Sequence, residues 1–245
     1  MKKTAAFFDI DGTLYRNSLM IEHFKKLLKY EVFDPIIWHS DIKQKFYEWD
    51  NREGDYDIYM EELATVYIES LKGLNKKEYD FIAKQVINLC GDKVYSYTRD
   101  QIVHHQERGD LILFISGSPD YLVEKMAHKY GATDFIATKY LTDENNSFNG
   151  KVIPMWNNEN KTKAIERLRE KYTIDLEKSF AYGDTNGDIS MLKTVGHPIA
   201  INPSFELINS IKNDDSLYKK VKIIIERKNV IYTLNKDIDI MRGGR

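Results

Sequence analysis

Short apolar runs recur along this chain, and each stops on a small or acidic residue: "AAFFDID" at 5–11, "LILFISGS" at 111–118, "SFAYGD" at 179–184 and "HPIAIN" at 197–202. Between the later ones lie segments of helical length and periodicity. Apolar runs too short for helices, separated by amphipathic helices, predict βαβ units and a parallel sheet covered on both faces. In such sheets ligands collect at the carboxyl ends of the strands, so the residues that end each run are the ones to read for chemistry.

The expected order is a strand in "TAAFFDI", a helix over Tyr97–Arg108 closed by Gly109, and a strand in "DLILFIS". A helix over Tyr121–Tyr130 stopped by Gly131 follows, then a strand in "FIATKY" and a hairpin through "YLTDENNSFNGKVI". Next come a helix over Asn160–Tyr172, a strand in "SFAYGD", a short helix over Gly187–Thr194, a strand in "HPIAIN" and a final hairpin in "VKIIIERKNVIYTL". Gly after a helix and Asn-Gly-rich tips are the punctuation that sets these boundaries. The tail "MRGGR" reads as a frayed end.

One segment breaks the alternation. From Ser18 to about Gly91 apolar residues fall only at helical spacing, with turn-like breaks at "REGDYD" and "LKGLNKKE". This predicts a bundle of about four helices inserted directly after the first strand. The expected fold is therefore α/β: a Rossmann-like, doubly wound parallel sheet formed by residues 1–17 and 92–245, with residues 18–91 as a helical cap over the strand ends.

The totals exclude several classes. A net charge of −2 with balanced acids and bases gives no sign of a nucleic-acid partner. No apolar run approaches the ~20 residues of a membrane-spanning helix, so stable membrane insertion is not expected. The basic start "MKK" is followed by only a short apolar run before Asp9, which argues against export, and a single cysteine, Cys90, forms no internal disulfide. A cytoplasmic location is the expectation.

Asp9 and Asp11 are two apart at the end of the first strand and share one side of it. Asp-Gly is also a common turn pair, so the motif alone is ambiguous. The other strand ends add Ser116 and Gly117, a hydroxyl and exposed backbone N–H groups suited to an anion; the alternative there is a plain strand-to-helix turn with Ser118 capping the following helix. They also add Asp184 with Asp188 at a helix start. Asp9, Asp184 and Asp188 form a hard-oxygen set suited to Mg²⁺. Lys161 and Lys163 open a helix where a cation gains nothing from the helix dipole, which leaves a local use for the charge open at either position.

"DIDGT", "ISGS", "NK" with its following helix, and "GDTNGD", in this order, resemble the haloacid dehalogenase-like phosphohydrolase superfamily across roughly residues 5–203. The position of the helical block is similar to the subgroup that contains phosphoserine phosphatase. The resemblance implies an Mg²⁺-dependent phosphatase acting on a small phosphorylated metabolite through an aspartyl-phosphate. Asp9 would be the nucleophile and Asp11 the general acid and base. Asp9, the Asp11 backbone carbonyl and Asp184 would hold the metal, and Asp188 would support it through water or hold Lys161. Ser116, Gly117 and Lys161 would grip the phosphate, over a loop shaped by Gly12 and Thr13; Lys163 is the alternative to Lys161. Gly187 stands where that subgroup carries asparagine, and Asn186 either takes over the phosphate contact or leaves it unmade. The subgroup's cap glutamate is replaced by Ser18, with Glu22 one turn later and Arg52 in the region of its carboxylate-binding arginine, so phosphoserine is not the expected best substrate. A phosphotransferase and a non-catalytic phosphate-binding protein are the competing functions, and oligomeric state is not legible.

Three further expectations concern residues away from the motifs. His104 and His105 read as surface or packing residues, the aromatics Trp38, Tyr47, Trp49, Tyr56, Tyr59 and Tyr67 as core of the helical block, and Lys219, Lys220 and Lys222 as a solvated edge.

Overall fold

In a computed structural model that describes residues 2–242, strand β1 (Ala5–Phe8) lies at the middle of one sheet with every side chain buried. Its four apolar residues serve both faces, as a central parallel strand requires. Ala6 and Phe8 join a core cluster on one side, and Ala5 and Phe7 join another on the opposite side.

After β1 come the helices α1 (Leu19–Lys29), α2 (Lys43–Asp50), α3 (Tyr56–Leu71) and α4 (Lys76–Cys90), with a single π-helical turn over Trp38–Ile42. The chain then alternates. Helix α5 (Ser96–Glu107) leads to β2 (Leu111–Pro119), α6 (Asp120–Tyr130), β3 (Asp134–Thr142), β4 (Phe148–Ile153), α7 (Asn158–Tyr172) and β5 (Phe180–Gly183). Helix α8 (Ile189–Thr194), β6 (His197–Ile201), α9 (Phe205–Lys212), α10 (Asp215–Lys220), β7 (Lys222–Arg227) and β8 (Val230–Leu234) complete it. Residues 243–245 of the expected frayed tail lie outside the described residues.

The strand order is β4-β3-β2-β1-β5-β6-β7-β8. The six inner strands are parallel, and β4 and β8 close the two edges as antiparallel hairpin partners. The chain winds outward from β1 through β2 to β3, then restarts at β5 on the other side. The ends of β1 and β5 therefore flank the switch in winding direction, where an open α/β sheet leaves a crevice. Helices α7 to α10 cover one face, while α5, α6 and the inserted helices share a cluster with the other.

The inserted helices are tied to the sheet as well as hung from it. The loop between α3 and α4 pairs with the β3–β4 hairpin: Gly73 N–H donates to Phe148 O at 2.8 Å, and Phe148 N–H to Leu74 O at 3.0 Å. Behind this seam the Tyr67 hydroxyl bonds His23 Nδ1 at 2.6 Å and the Tyr121 hydroxyl at 2.5 Å. Tyr59 and Tyr67 are buried, Trp49 stacks on Tyr59 with centroids 5.5 Å apart, Trp38 packs on Phe46 and Tyr47 is exposed. His105 is buried between Tyr182 and Asp110, and His104 is exposed.

Lys219, Lys220 and Lys222 are exposed, as expected of a solvated stretch, and two of them also take partners. Lys220 donates to the carbonyls of Lys193 and Val195 at 2.9 and 2.6 Å, capping the end of α8, and Lys222 lies over the Tyr97 ring. A lysine at a helix C-terminus meets unpaired carbonyls and the negative end of the dipole.

Candidate active site

The segment after β1 is a tight loop. The Ile10 carbonyl accepts from the N–H groups of Leu14 and Tyr15 at 2.9 and 2.7 Å, turning the chain back over the strand end. Gly12 has φ +82°, and a Cβ there would stand 2.0 Å from Asp184 Oδ2. Glycine is thus required twice, for its backbone conformation and for the approach of a carboxylate. Thr13, buried beneath, donates its hydroxyl to Asp184 Oδ1 at 2.8 Å. The Asp-Gly-Thr sequence thereby fastens the end of β1 to the end of β5.

Asp9 is buried and accepts from Lys161 Nζ at 2.7 Å. The same ammonium contacts Asp188 Oδ1. Lys163, two residues on, is exposed and pairs with Glu159 across one helical turn. Helical spacing explains the choice: Lys161 shares the buried side of α7 with Ala164, Ile165 and Leu168. Asp188 Oδ2 accepts from the N–H groups of Asp184 and Thr185, both at 3.1 Å, so this carboxylate holds the lysine with one oxygen and the turn after β5 with the other.

Each of Asp9, Asp184 and Asp188 offers an oxygen within 4.8 Å of the others. Burial raises the Asp9 carboxyl, against the opposing pull of the Lys161 ammonium. Burial, then the neighbouring charges of Asp188 and Asp9, holds Asp184 well above the usual carboxylate range. Three carboxylates facing one ammonium leave negative charge that burial makes costly. A hard divalent cation resolves that excess, and an all-oxygen donor set suits Mg²⁺ better than a softer ion.

Strand β2 brings a second group. Ser116 is buried, and its Oγ accepts from Ser118 N–H at 3.1 Å. Gly117 lies against Trp156, whose Cβ would be 3.1 Å from a Cβ at 117. The alternative of a plain turn capped by Ser118 does not hold: the strand runs on to Pro119, which occupies the N-cap position, and the Ser118 hydroxyl donates to Asp11 Oδ2 at 2.5 Å. Asp11 also accepts from the Ser18 hydroxyl at 3.2 Å and Leu19 N–H at 3.0 Å. Burial raises the Asp11 carboxyl, and the donors Ser118, Leu19 and Ser18 counter that rise.

The structure thus gathers Asp9, Asp11, Gly12, Thr13, Ser116, Lys161, Asp184 and Asp188 at the carboxyl ends of the central strands, with Gly117 following Ser116. The Asn186 side chain is exposed and accepts from the Ser210 hydroxyl at 2.7 Å. Ser18 opens α1 as its N-cap; Glu22 meets the Cys90 thiol at 3.7 Å and Lys25 at 3.9 Å; Arg52 is exposed. Sequence reasoning missed Ser118 and Trp156. The first had a signal, since residues 116 and 118 are i and i+2 in a strand. For Trp156 no motif pointed to the site.

The family model for haloacid dehalogenase-like hydrolases matches residues 6–193. A histidinol-phosphatase of Neisseria meningitidis is 25% identical over 215 residues, covering 86% of this chain and 95% of that protein. Among solved structures, a Bordetella pertussis protein of unknown function superposes with a TM-score of 0.71 at 18% identity, covering 90% of this chain and 98% of that one. A phosphoserine phosphatase, solved as an analogue of its phospho-aspartyl intermediate, gives 0.59 at 22% identity, with 93% and 95% covered.

Proposed function

The chain belongs to the haloacid dehalogenase-like hydrolases and is a phosphoric monoester hydrolase, and from that premise we propose that it hydrolyses a small phosphorylated metabolite through an aspartyl-phosphate on Asp9, with Mg²⁺ as cofactor. Residues 18–91 act as the cap over a core of residues 1–17 and 92–245. The observation that carries this reading is the convergence of Asp9, Lys161 and Asp184, from β1, α7 and the end of β5, on one buried point.

An attacking carboxylate and a phosphate dianion repel by about 4 kcal/mol per charge pair at ~4 Å in a medium of effective dielectric 20. Lys161 offsets part of this and stabilises charge on the phosphoryl oxygens as the transition state forms. Ser116 Oγ and Gly117 N–H hold those oxygens from the β2 side. Asp9 attacks phosphorus, Asp11 gives a proton to the departing oxygen, and Asp11 then takes a proton from the water that cleaves the acyl phosphate. Asp9, the Asp11 backbone carbonyl and Asp184 are the groups to hold Mg²⁺, with Asp188 behind them; the bound ion supplies charge neutralisation and Lewis acidity.

The cap argues about the leaving group. Ser18 spends its hydroxyl on Asp11, and Glu22 is engaged with Cys90 and Lys25, so neither is free for the ammonium of an amino acid. We therefore place the substrate among phosphate esters lacking an α-amino acid head. The test is turnover of a panel containing L-phosphoserine, L-histidinol phosphate, polyol phosphates and phosphocholine, with Mg²⁺ and after chelation. Mg²⁺-dependent release of phosphate from at least one ester is expected; no turnover of any ester, or full activity in metal-free buffer, counts against the reading.

A further inference from the structure

The Asp11 carboxyl is held from both sides of the cleft. Ser118 reaches it from β2 in the sheet, while Ser18 and Leu19 reach it from the start of α1 in the inserted helices. Neither serine is accounted for by local structure alone. Pro119, not Ser118, occupies the N-cap of α6, and no side chain caps that helix. Ser18 does cap α1, accepting from Ile21 N–H at 3.4 Å, yet it turns its own proton to Asp11. Both serines are buried. A buried hydroxyl that donates to a carboxylate at 2.5 Å restricts how that carboxylate can turn.

We propose that Ser118 and Ser18 are positioning residues that aim Asp11 at the leaving oxygen of the substrate. The proposal rests on Asp11 being the general acid of the reaction above. A carboxylate has about four lone-pair sites. The two hydroxyls occupy Oδ2 and Leu19 N–H takes one site on Oδ1. The remaining site on Oδ1 carries the proton. In the first half-reaction the Asp9–phosphorus bond forms, the phosphorus–oxygen bond to the alcohol breaks, and that proton passes from Asp11 to the departing oxygen. Without the serines only Leu19 N–H restrains Asp11, and the proton is delivered from a fraction of its orientations.

The effect depends on the leaving group, which a merely structural role does not. An alkyl alkoxide needs the proton as it departs, whereas the p-nitrophenolate of p-nitrophenyl phosphate leaves without one. The ratio kcat/KM covers the steps up to departure of the alcohol, so it reads the first half-reaction alone. The experiment measures kcat/KM for the best alkyl ester of the panel and for p-nitrophenyl phosphate with full-length protein. Ser118→Ala is expected to lower the alkyl value about ten- to a hundredfold and the aryl value by less than about threefold. Ser118→Thr, which keeps the hydroxyl, should recover the alkyl value, and Ser18→Ala should show the same selectivity to a smaller extent. If Ser118→Ala does not fold, Ser18→Ala carries the test by the same ratio. An equal loss for both esters in folded variants, or no loss, overturns the proposal. Asp11→Asn separates the two claims. If it keeps full alkyl-ester activity, the acid role itself is wrong; if it loses the alkyl ester selectively while Ser118→Ala does not, only the serines' role is wrong.

Discussion

Lys161 Nζ lies 2.7 Å from Asp9 Oδ1 with both side chains buried, although the two residues are 152 positions apart. Each stabilises the charge the other carries, and Asp188 shares the ammonium. Removing the lysine leaves two buried carboxylates facing each other. Lys161→Met should therefore lower kcat by about a hundredfold or more and cost about 3–5 kcal/mol of stability in urea unfolding without metal. Lys163→Met, which removes only an exposed pair, should change stability by less than about 1 kcal/mol and leave kcat within about twofold.

Gly12 and Gly109 both have positive φ, but their surroundings differ. A Cβ at Gly109 meets open space, whereas one at Gly12 meets Asp184. Gly109→Ala should cost about 1–2 kcal/mol of stability with activity retained. Gly12→Ala should displace the Asp184 carboxylate and abolish measurable turnover. Phosphate release by the two purified variants under saturating Mg²⁺ checks the contrast.

His23 supplies a pH dependence outside the catalytic cluster. Burial, reinforced by the Lys125 charge, pushes its imidazole down to about 3 from an ordinary 6.5. It is packed among Tyr67, Tyr79 and Tyr121. Between those two values the unfolded chain binds a proton that the folded chain refuses. This contribution is therefore complete above about pH 6.5 and is lost as pH falls towards about 3, by up to ~1.4 kcal/mol per pH unit. Urea midpoints measured at successive pH values should fall accordingly, and His23→Gln should show the shallower slope. Equal slopes would remove His23 from the account.

The substrate prediction is a ranking. Recognition of the phosphoserine head by a charge-assisted contact is worth about 1.5–3 kcal/mol, and Ser18 cannot supply one. L-Phosphoserine should rank at least about tenfold below the best ester in kcat/KM. If it ranks first, Glu22 or Arg52 must leave the position seen here and reach the substrate.

Much of this architecture was legible because backbone punctuation is local. Gly109 and Gly131 end the helices they were expected to end, at positive φ, and the β3–β4 and β7–β8 hairpins turn where the polar tips lie. Helical spacing alone also separates Lys161 from Lys163 once the apolar side of α7 is known. Ser118 stayed ambiguous because N-capping and a long-range bond to Asp11 use the same hydroxyl, and only the extension of β2 to Pro119 decides between them. Lys220 and Trp156 depend on neighbours far away in sequence, on α8 and on Gly117, for which a local pattern carries no trace. The bond from Asn186 to Ser210 is of the same kind.

The central claim is that Asp9 becomes phosphorylated during turnover. Acid-quenching the protein with its best substrate and Mg²⁺, then reducing with borohydride, converts an aspartyl-phosphate to homoserine that peptide mass spectrometry can place. The account predicts homoserine at position 9, absent without substrate and absent in Asp9→Asn, which should also be inactive. Unmodified Asp9 at every quench time during steady turnover, together with phosphate release by Asp9→Asn at a rate close to the unsubstituted protein's, would contradict it.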